Sequence, residues 1–387
     1  MIQTAVIGAG GISRTHIETY LKFPERCQVV AIADPYPEKA RQKLEEFGLS
    51  IPIYDDYQKL LADPAIGLVS VCTPPYTHAA IAIAAMTAGK HVICEKPMAS
   101  SLAECDVMEE AAHLNQRCLA IIAQNRFRTP VSRLKTLLAS GLAGRVLHAQ
   151  VDSFWWRGHS YYDLWWRGTW EKEGGGCTLN HAVHHIDMFQ WMMGMPSEVT
   201  AVMSNTAHDN AEVEDLSIAI LKYADGRLAQ ITSSVVHHGE EQQLVFQTEK
   251  ARLSFPWRIY ASKPRGNGFP DPDEALAAEI QAAYDAIPPL EKEYYEGEFD
   301  DVLTAIETKR PALVSGEEGR KTLELVMAIY QSASTGQTVK LPLDPSSPFY
   351  TAEGVQAHAI HFYEKGQSIE NFCDDQIIVG SSTDPKA

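Results

Sequence analysis

Positive charge is scarce in this 387-residue chain: 33 Lys and Arg stand against 50 Asp and Glu, a formal net charge of −17. No compact basic stretch is available to neutralise a phosphate backbone. This argues against nucleic acid as a partner and disfavours an anionic membrane surface. No run of about 18 apolar residues occurs, so no membrane span is expected. The chain opens directly on an apolar strand, "TAVIGAG", without the basic and apolar regions of a secretory leader. The seven cysteines are odd in number, lie at 27, 72, 94, 105, 118, 177 and 373, and form no CxxC pair. Several sit inside apolar runs such as "VSVCTPP". They read as small buried hydrophobes in a reducing compartment, and the cytoplasm is the expected location.

The rest is ordinary: 45% hydrophobic and 21% charged residues, the balance of a globular protein with room for two domains or three. Residues 1–124 alternate short β-branched runs with helical patterns. The runs are "IQTAVIGAG", "QVVAIADP", "IGLVSVCTP", "HVICEKP" and "RCLAIIAQN". "HAAIAIAAMTAGK" and "SLAECDVMEEAAHLNQ" are the clearest helices between them. Short apolar strands separated by helices predict a doubly wound parallel sheet of Rossmann type, with all strand C-termini on one ligand-binding edge. From about residue 145 the strands lengthen, as in "VEDLSIAILKYADGRLAQITSSVV", where Asp225-Gly226 signals a hairpin. Residues 125–345 are expected to form an α+β domain with a mostly antiparallel open sheet. One helix is expected from about Leu179 to Met193, a loop plus helix over 258–292, and a closing helix near 317–335. Residues 346–387 read as a C-terminal arm with no assigned role. No internal repeat is visible.

"VIGAGGIS" places Gly8-x-Gly10-x-x-Ser13 after the first strand and at the start of a helix. Gly8, Gly10, Gly11 and Ile12 would present backbone amides to a pyrophosphate, and Ser13 is small enough for helix–strand packing. A plain tight turn is the alternative. Asp34 ends the second strand about 24 residues after Gly10. A carboxylate there accepts ribose hydroxyls and repels a 2′-phosphate, which favours NAD over NADP. Asp34 could also cap the helix that starts near Pro37.

"CTPPYTH" and "EKPMA" both end strands on the ligand edge. They bring Thr73, Pro74, His78, Glu95, Lys96 and Pro97 beside the nicotinamide half of a dinucleotide. A Lys there can bond a substrate hydroxyl and stabilise a developing alkoxide. The competing reading is a solvated Glu-Lys pair at a surface turn. Taken with the nucleotide loop, Asp34 and "QNRF" at 124–127, these motifs make the chain resemble the Gfo/Idh/MocA oxidoreductases over roughly residues 1–345. The resemblance implies a Rossmann domain followed by an α/β domain, and hydride transfer between NAD(P) and a sugar or cyclic polyol. It implies Lys96 as the catalytic lysine and Asn125 among the cofactor contacts. It also implies a homodimer or homotetramer packed through the open sheet.

"GGGCTLNHAVHHIDMFQWMMG" is the second chemical centre. Asn180 and His184, four residues apart, share a helical face. The family carries an Asp-x-x-x-His pair here. His184 matches the His, while Asn180 stands where the Asp would be and cannot ionise. His184 is therefore expected to act as general base, with Lys96 steadying the alkoxide and Asn180 holding an adjacent hydroxyl. His181-x-x-x-His185 with Asp187 could hold a metal, but no HExxH or Cys cluster supports this, and no metal is expected.

"SFWWRGHSYYDLWWRGTWEKEGGG", residues 153–176, holds five of the seven tryptophans. Aromatic faces pack on sugar C–H groups, while Arg and Tyr bond hydroxyls. Arg157 and Tyr162 are expected in the substrate pocket. By resemblance, Arg167 reaches cofactor or substrate. An oligomer interface would use the same residue types. His237 and His238 end a predicted strand and would face opposite sides, His238 toward substrate. Arg265 could meet an acidic sugar. Three functions fit: an NAD-dependent sugar or polyol dehydrogenase, an NAD-dependent glycosidase with an internal redox cycle, and a catalytically silent NAD-binding regulator.

Overall fold

The computed structural model describes residues 1–370. Six strands make the first sheet: β1 Ile2–Ile7, β2 Cys27–Ala33, β3 Ile53–Tyr54, β4 Ile66–Val71, β5 His91–Cys94 and β6 Leu119–Ile121. All pair in parallel, in the order 3-2-1-4-5-6. Consecutive residues Ala5 and Val6 on β1, and Leu68 and Val69 on β4, are all buried. Burial on both faces is why these strands read as unbroken apolar runs. Strand order reverses between β1 and β4, which opens a crevice at their C-terminal ends. The short β3 was not among the predicted strands, since two residues carry no readable period.

The second sheet has nine strands: β7 Val146–Phe154, β8 Glu198–Ser204, β9 Leu216–Lys222, β10 Leu228–Ser234, β11 Gln242–Thr248, β12 Ala251–Phe255, β13 Arg258–Pro264, β14 Pro270–Pro272 and β15 Val339–Lys340. The order is 14-13-12-11-7-10-9-8-15, and only β7 and β10 run parallel. Asp225-Gly226 turns β9 into β10, with Gly226 at φ +88°. Alternation puts Ala219, Leu221, Ala229 and Ile231 into the core. The helices Val183–Met193 and Gly316–Thr335 cover that side. The opposite face leaves Val202, Ile218, Ile220 and Leu228 exposed.

Several elements differ from expectation. The helix expected over Leu179–Met193 is broken into Cys177–Asn180 and Val183–Met193. The amides of His181 and Ala182 both donate to the Cys177 carbonyl, at 3.1 and 2.9 Å, so the helical register slips there. The preceding glycines are forced by close approach: a Cβ on Gly176 would lie 2.0 Å from the Glu214 carbonyl oxygen. Residues 258–292 hold the β13–β14 hairpin as well as the helix Glu274–Ala286. Pro270 and Pro272 disguised β14, and both are tolerated because it is an edge strand. The helices Thr129–Ser140 and Tyr294–Thr308 were unforeseen. The second lays Phe299, Val302 and Leu303 against the first sheet's core.

Candidate active site

The loop after β1 has the geometry of a dinucleotide cradle. Gly8 sits at φ +98°, and a Cβ there would lie 2.6 Å from the Cys72 carbonyl oxygen, so only glycine fits. A Cβ on Gly10 would meet nothing within 4 Å, which leaves that side of the loop open. The helix Gly11–Leu21 starts there without a side-chain cap, so helix geometry leaves its first-turn amides at Gly11 and Ile12 without intrahelical partners. Ser13 is fully buried, its hydroxyl donating to the Gly10 carbonyl at 2.6 Å. Asp34 braces the cradle: its Oδ2 accepts from Ala9 N at 2.7 Å and its Oδ1 from Tyr36 N at 2.8 Å. It does not cap the following helix, whose N-cap is Tyr36. Each Asp34 oxygen keeps a lone pair for a ribose hydroxyl. These residues fit an NAD-type dinucleotide.

The Glu95-Lys96 turn is no solvated surface pair. Glu95 is only 5% exposed. Its Oε1 meets His16 Nε2 at 2.9 Å and accepts from the Tyr295 hydroxyl at 3.2 Å. His16 Nδ1 continues to the Ser70 hydroxyl at 2.9 Å. Burial opposes the Glu95 charge, but the His16 bond and nearby positive charges outweigh it, and its pKa is lowered. Lys96 Nζ donates to the main-chain carbonyl of Asn180 at 3.2 Å. Burial, then the charge of Arg167, lowers the Lys96 pKa, with Glu95 and Glu173 opposing.

His78 departs from its expected role. Both ring nitrogens lie 2.8 Å from main-chain carbonyls, Nδ1 from Pro97 and Nε2 from Thr73. It ties the two strand-end turns together and has no nitrogen left for a cofactor. Thr73 and Pro74 are half-buried on the same edge. Asn125 is half-buried in the 3-10 turn Gln124–Phe127 after β6, next to Arg126, which makes a bidentate ion pair with Asp187 at 2.8 Å.

His184 is half-buried, and its ring has no hydrogen-bond partner among the described residues. It lines a small cavity with Lys96, Val183, Asp187 and Thr322. Burial first, then the charges of Lys96 and His185, pushes its pKa well below 6.5, so the imidazole is neutral. Asn180 Nδ2 donates to the Gly175 carbonyl at 2.8 Å, which leaves its Oδ1 as the group able to meet a ligand. His185 Nδ1 is committed to the Ser153 hydroxyl at 2.9 Å, and Asp187 to Arg126. The His181–His185–Asp187 set therefore does not converge, and no group of three such ligands forms among the described residues.

By sequence His181 is a candidate metal ligand or, like His185, a core or interface histidine. It is 7% exposed, its Nδ1 has no partner, and it lies between Trp155 and Tyr161, 5.9 and 5.5 Å between ring centroids. Arg167 lies over the Tyr161 ring at 4.1 Å, donates to the Tyr161 hydroxyl, and pairs with the buried Glu173 at 3.1 Å. Tyr162, expected to bind substrate, is 1% exposed and packs edge-on against Tyr161 and His208. Tyr161 takes the position facing Arg167, because the chain there forms a 3-10 turn over His159–Asp163 with no strand alternation to read. Arg157 is engaged by Glu240 at 2.7 Å and by the Trp156 carbonyl at 2.6 Å. β10 stops at Ser234, so His237 and His238 lie beyond it and strand alternation does not sort them. His237 stacks on Phe154, and the exposed His238 stacks on Trp156. Arg265 pairs with Asp271 inside the β13–β14 hairpin.

Comparisons with known proteins agree with this layout. A family model described as oxidoreductase family, NAD-binding Rossmann fold, matches residues 2–122, and the GFO/IDH/MocA C-terminal domain model matches residues 131–254. A levoglucosan dehydrogenase from Pseudarthrobacter phenanthrenivorans is 27% identical, covering 64% of this chain and 70% of that protein. A myo-inositol 2-dehydrogenase from Thermotoga maritima is 27% identical over 88% of this chain and 98% of its own length. The WlbA dehydrogenase from Bordetella pertussis, solved in complex with NADH and UDP-GlcNAcA, superposes with a TM-score of 0.75 at 27% identity, covering 89% of this chain and 98% of that one.

Proposed function

The chain belongs to the Gfo/Idh/MocA oxidoreductase family, and on that premise we propose that it transfers a hydride between NAD and a hydroxyl-bearing carbon of a sugar, sugar derivative or cyclic polyol. The supporting observation is that Lys96 and His184 are neighbours: both border one small, mostly apolar cavity, Lys96 Nζ meets the Asn180 carbonyl one helical turn before His184, and the Lys96 charge helps keep the His184 imidazole neutral. Residues 1–124 form the cofactor half, 125–345 the substrate and oligomerisation half, and 346–387 an arm.

Bound NAD supplies the hydride acceptor. Gly8, Gly10, Gly11 and Ile12 would hold the pyrophosphate, and Asp34 would take the ribose hydroxyls and discriminate against NADP. Lys96 donates a hydrogen bond to the reacting hydroxyl, and its charge lowers the cost of the alkoxide. His184 accepts the proton, a role its neutral imidazole suits. Asn180 Oδ1 accepts from a neighbouring hydroxyl. Tyr161 offers an aromatic face to the sugar, with Arg167 beside it. The exposed apolar row of Val202, Ile218 and Ile220 packs against a second copy to give a homodimer or homotetramer. The six described cysteines are all free, in keeping with a reducing compartment such as the cytoplasm.

An absorbance scan for reduced nicotinamide tests this. The protein is mixed with NAD⁺ or NADP⁺ and a panel of inositols, aldoses, sugar acids and anhydrosugars. Reduction of NAD⁺ by one class supports the reading. Silence across the panel, with a chromogenic glycoside cleaved at constant cofactor redox state, would overturn it in favour of the redox-cycling glycosidase.

A further inference from the structure

The chain beyond the helix Gly316–Thr335 still lacks a role. After the short helix Ala352–His358 it runs along the aromatic loop 158–173. Trp170 Nε1 donates to the Ile360 carbonyl at 3.1 Å, and the Lys365 ammonium donates to the Tyr162 carbonyl. Further along, Trp165 N donates to the Ile369 carbonyl at 3.0 Å and Ile369 N to the Asp163 carbonyl at 2.8 Å. These two bonds make a parallel bridge between Leu164 and Ile369.

A single side chain clasps the arm between those contacts. Asn210 is 5% exposed. Its Oδ1 accepts from Gln367 N at 2.9 Å, while its Nδ2 donates to the Gln367 carbonyl at 3.2 Å and to Asp163 Oδ1 at 3.0 Å. The same amide thus grips the arm and the aromatic loop. The loop's other side is held by Glu212, whose main-chain N–H donates to the Gly168 carbonyl at 2.7 Å. The loop joins no named strand; besides these clamps it is anchored by the buried Tyr162 and Trp170, with Trp170 N donating to Glu212 Oε2 at 3.0 Å. Long segments without ladder bonds of their own open easily unless such contacts fix them. This loop carries Tyr161, whose ring centroid lies 5.5 Å from that of His181, and Arg167, which donates to the Tyr161 hydroxyl; His181 directly follows Asn180, whose carbonyl accepts from Lys96.

We propose that residues 359–369 are a strap that fixes Tyr161 and Arg167 beside the His181 ring, so that sugar binding depends on docking of the C-terminal arm, with Asn210 as the positioning residue. The proposal rests on the reading of the 158–173 loop as a wall of the sugar site. Strap and loop share no residue with the glycine loop or Asp34, so the strap should act mainly on the sugar side.

Hydrogen exchange followed by mass spectrometry tests the strap, with four chains: full length, one ending at Glu370, one ending at His358, and Asn210→Ala. The chain ending at Glu370 should match full length. The chain ending at His358 and N210A should exchange the amides of 160–173 more than tenfold faster, with peptides from β1 and β4 unchanged. For the best sugar of the panel, N210A should raise KM about tenfold while the KM for NAD⁺ stays within twofold. Unchanged exchange of 160–173 in both altered chains, or an unchanged sugar KM in N210A, would overturn the proposal. Should the short chain unfold throughout, N210A alone decides. Silence of the full-length chain on every sugar would remove the sugar reading and the strap's role in binding with it, whatever the exchange rates.

Discussion

The Lys96 ammonium lies 3.2 Å from the main-chain carbonyl of Asn180. A residue from the end of a Rossmann strand thereby meets the helix that begins the histidine segment. The contact goes through the backbone of Asn180, so it survives the replacement of the family's Asp by Asn. The Asn180 side chain is turned instead toward the glycine turn at Gly175.

Removing the Lys96 ammonium should therefore damage chemistry more than cofactor binding. For Lys96→Ala we expect turnover to fall by about 10²–10⁴-fold, the usual worth of a positioned proton-handling or oxyanion-stabilising group. NADH affinity, followed by fluorescence titration, should stay within a few-fold. A collapse of NADH binding with normal turnover at saturation would make Lys96 a cofactor ligand only.

Restoring the family's carboxylate tests the other partner. In Asn180→Asp, a carboxylate replaces an amide that donates to the Gly175 carbonyl. Repelled by that carbonyl, it should swing toward Lys96 and His184. A nearby negative charge favours the imidazolium and raises the His184 pKa. The acid limb of the pH–rate profile should then move to higher pH than in the parent chain. An unmoved limb would mean that His184 does not set it.

Asp34→Ala should relax the preference for NAD over NADP, measured as the ratio of kcat/KM for the two cofactors. It should also weaken NAD binding, since Asp34 accepts from Ala9 N inside the cradle. An unchanged ratio would place ribose recognition elsewhere.

Much of this was legible because its signals are local. Burial on both faces made β1 and β4 readable as apolar runs, and Gly8 was legible from its Gly-x-Gly spacing after β1, for which the nearby Cys72 carbonyl supplies the physical reason. The role of His78 was not legible, since two main-chain carbonyls brought together by folding use up its nitrogens. Tyr161 and Tyr162 are neighbours in a 3-10 turn, where no period decides which is buried. The burial of His181 depends on Trp155 and Tyr161, which tertiary packing supplies. The arm's contacts join residues some 150 to 200 positions apart, such as Asn210 to Gln367 and Tyr162 to Lys365, and no short-range pattern records them.

The exposed sheet face offers a check on assembly. Ile220 is 55% exposed between Thr200 and Gln230 on the outer surface. Ile220→Lys should convert a dimer or tetramer to smaller species in light scattering, with the fold retained by circular dichroism. An unchanged mass would show that any assembly uses another surface.

The most direct test of the central claim is the pH dependence of hydride transfer to NAD⁺ from the best panel sugar, in the parent chain and in His184→Gln. In the proposed role His184 must be neutral to take the proton, and its pKa is pushed well below 6.5. In the same proposal Lys96 must stay charged, and its pKa is lowered from 10.5. The account predicts full rate through neutral pH, an acid limb below pH 6.5 as His184 protonates, and an alkaline limb below pH 10.5 as Lys96 loses its proton. In His184→Gln the acid limb should vanish along with most of the rate. An acid limb that persists unchanged in that variant would show that another group takes the proton, and would contradict the account.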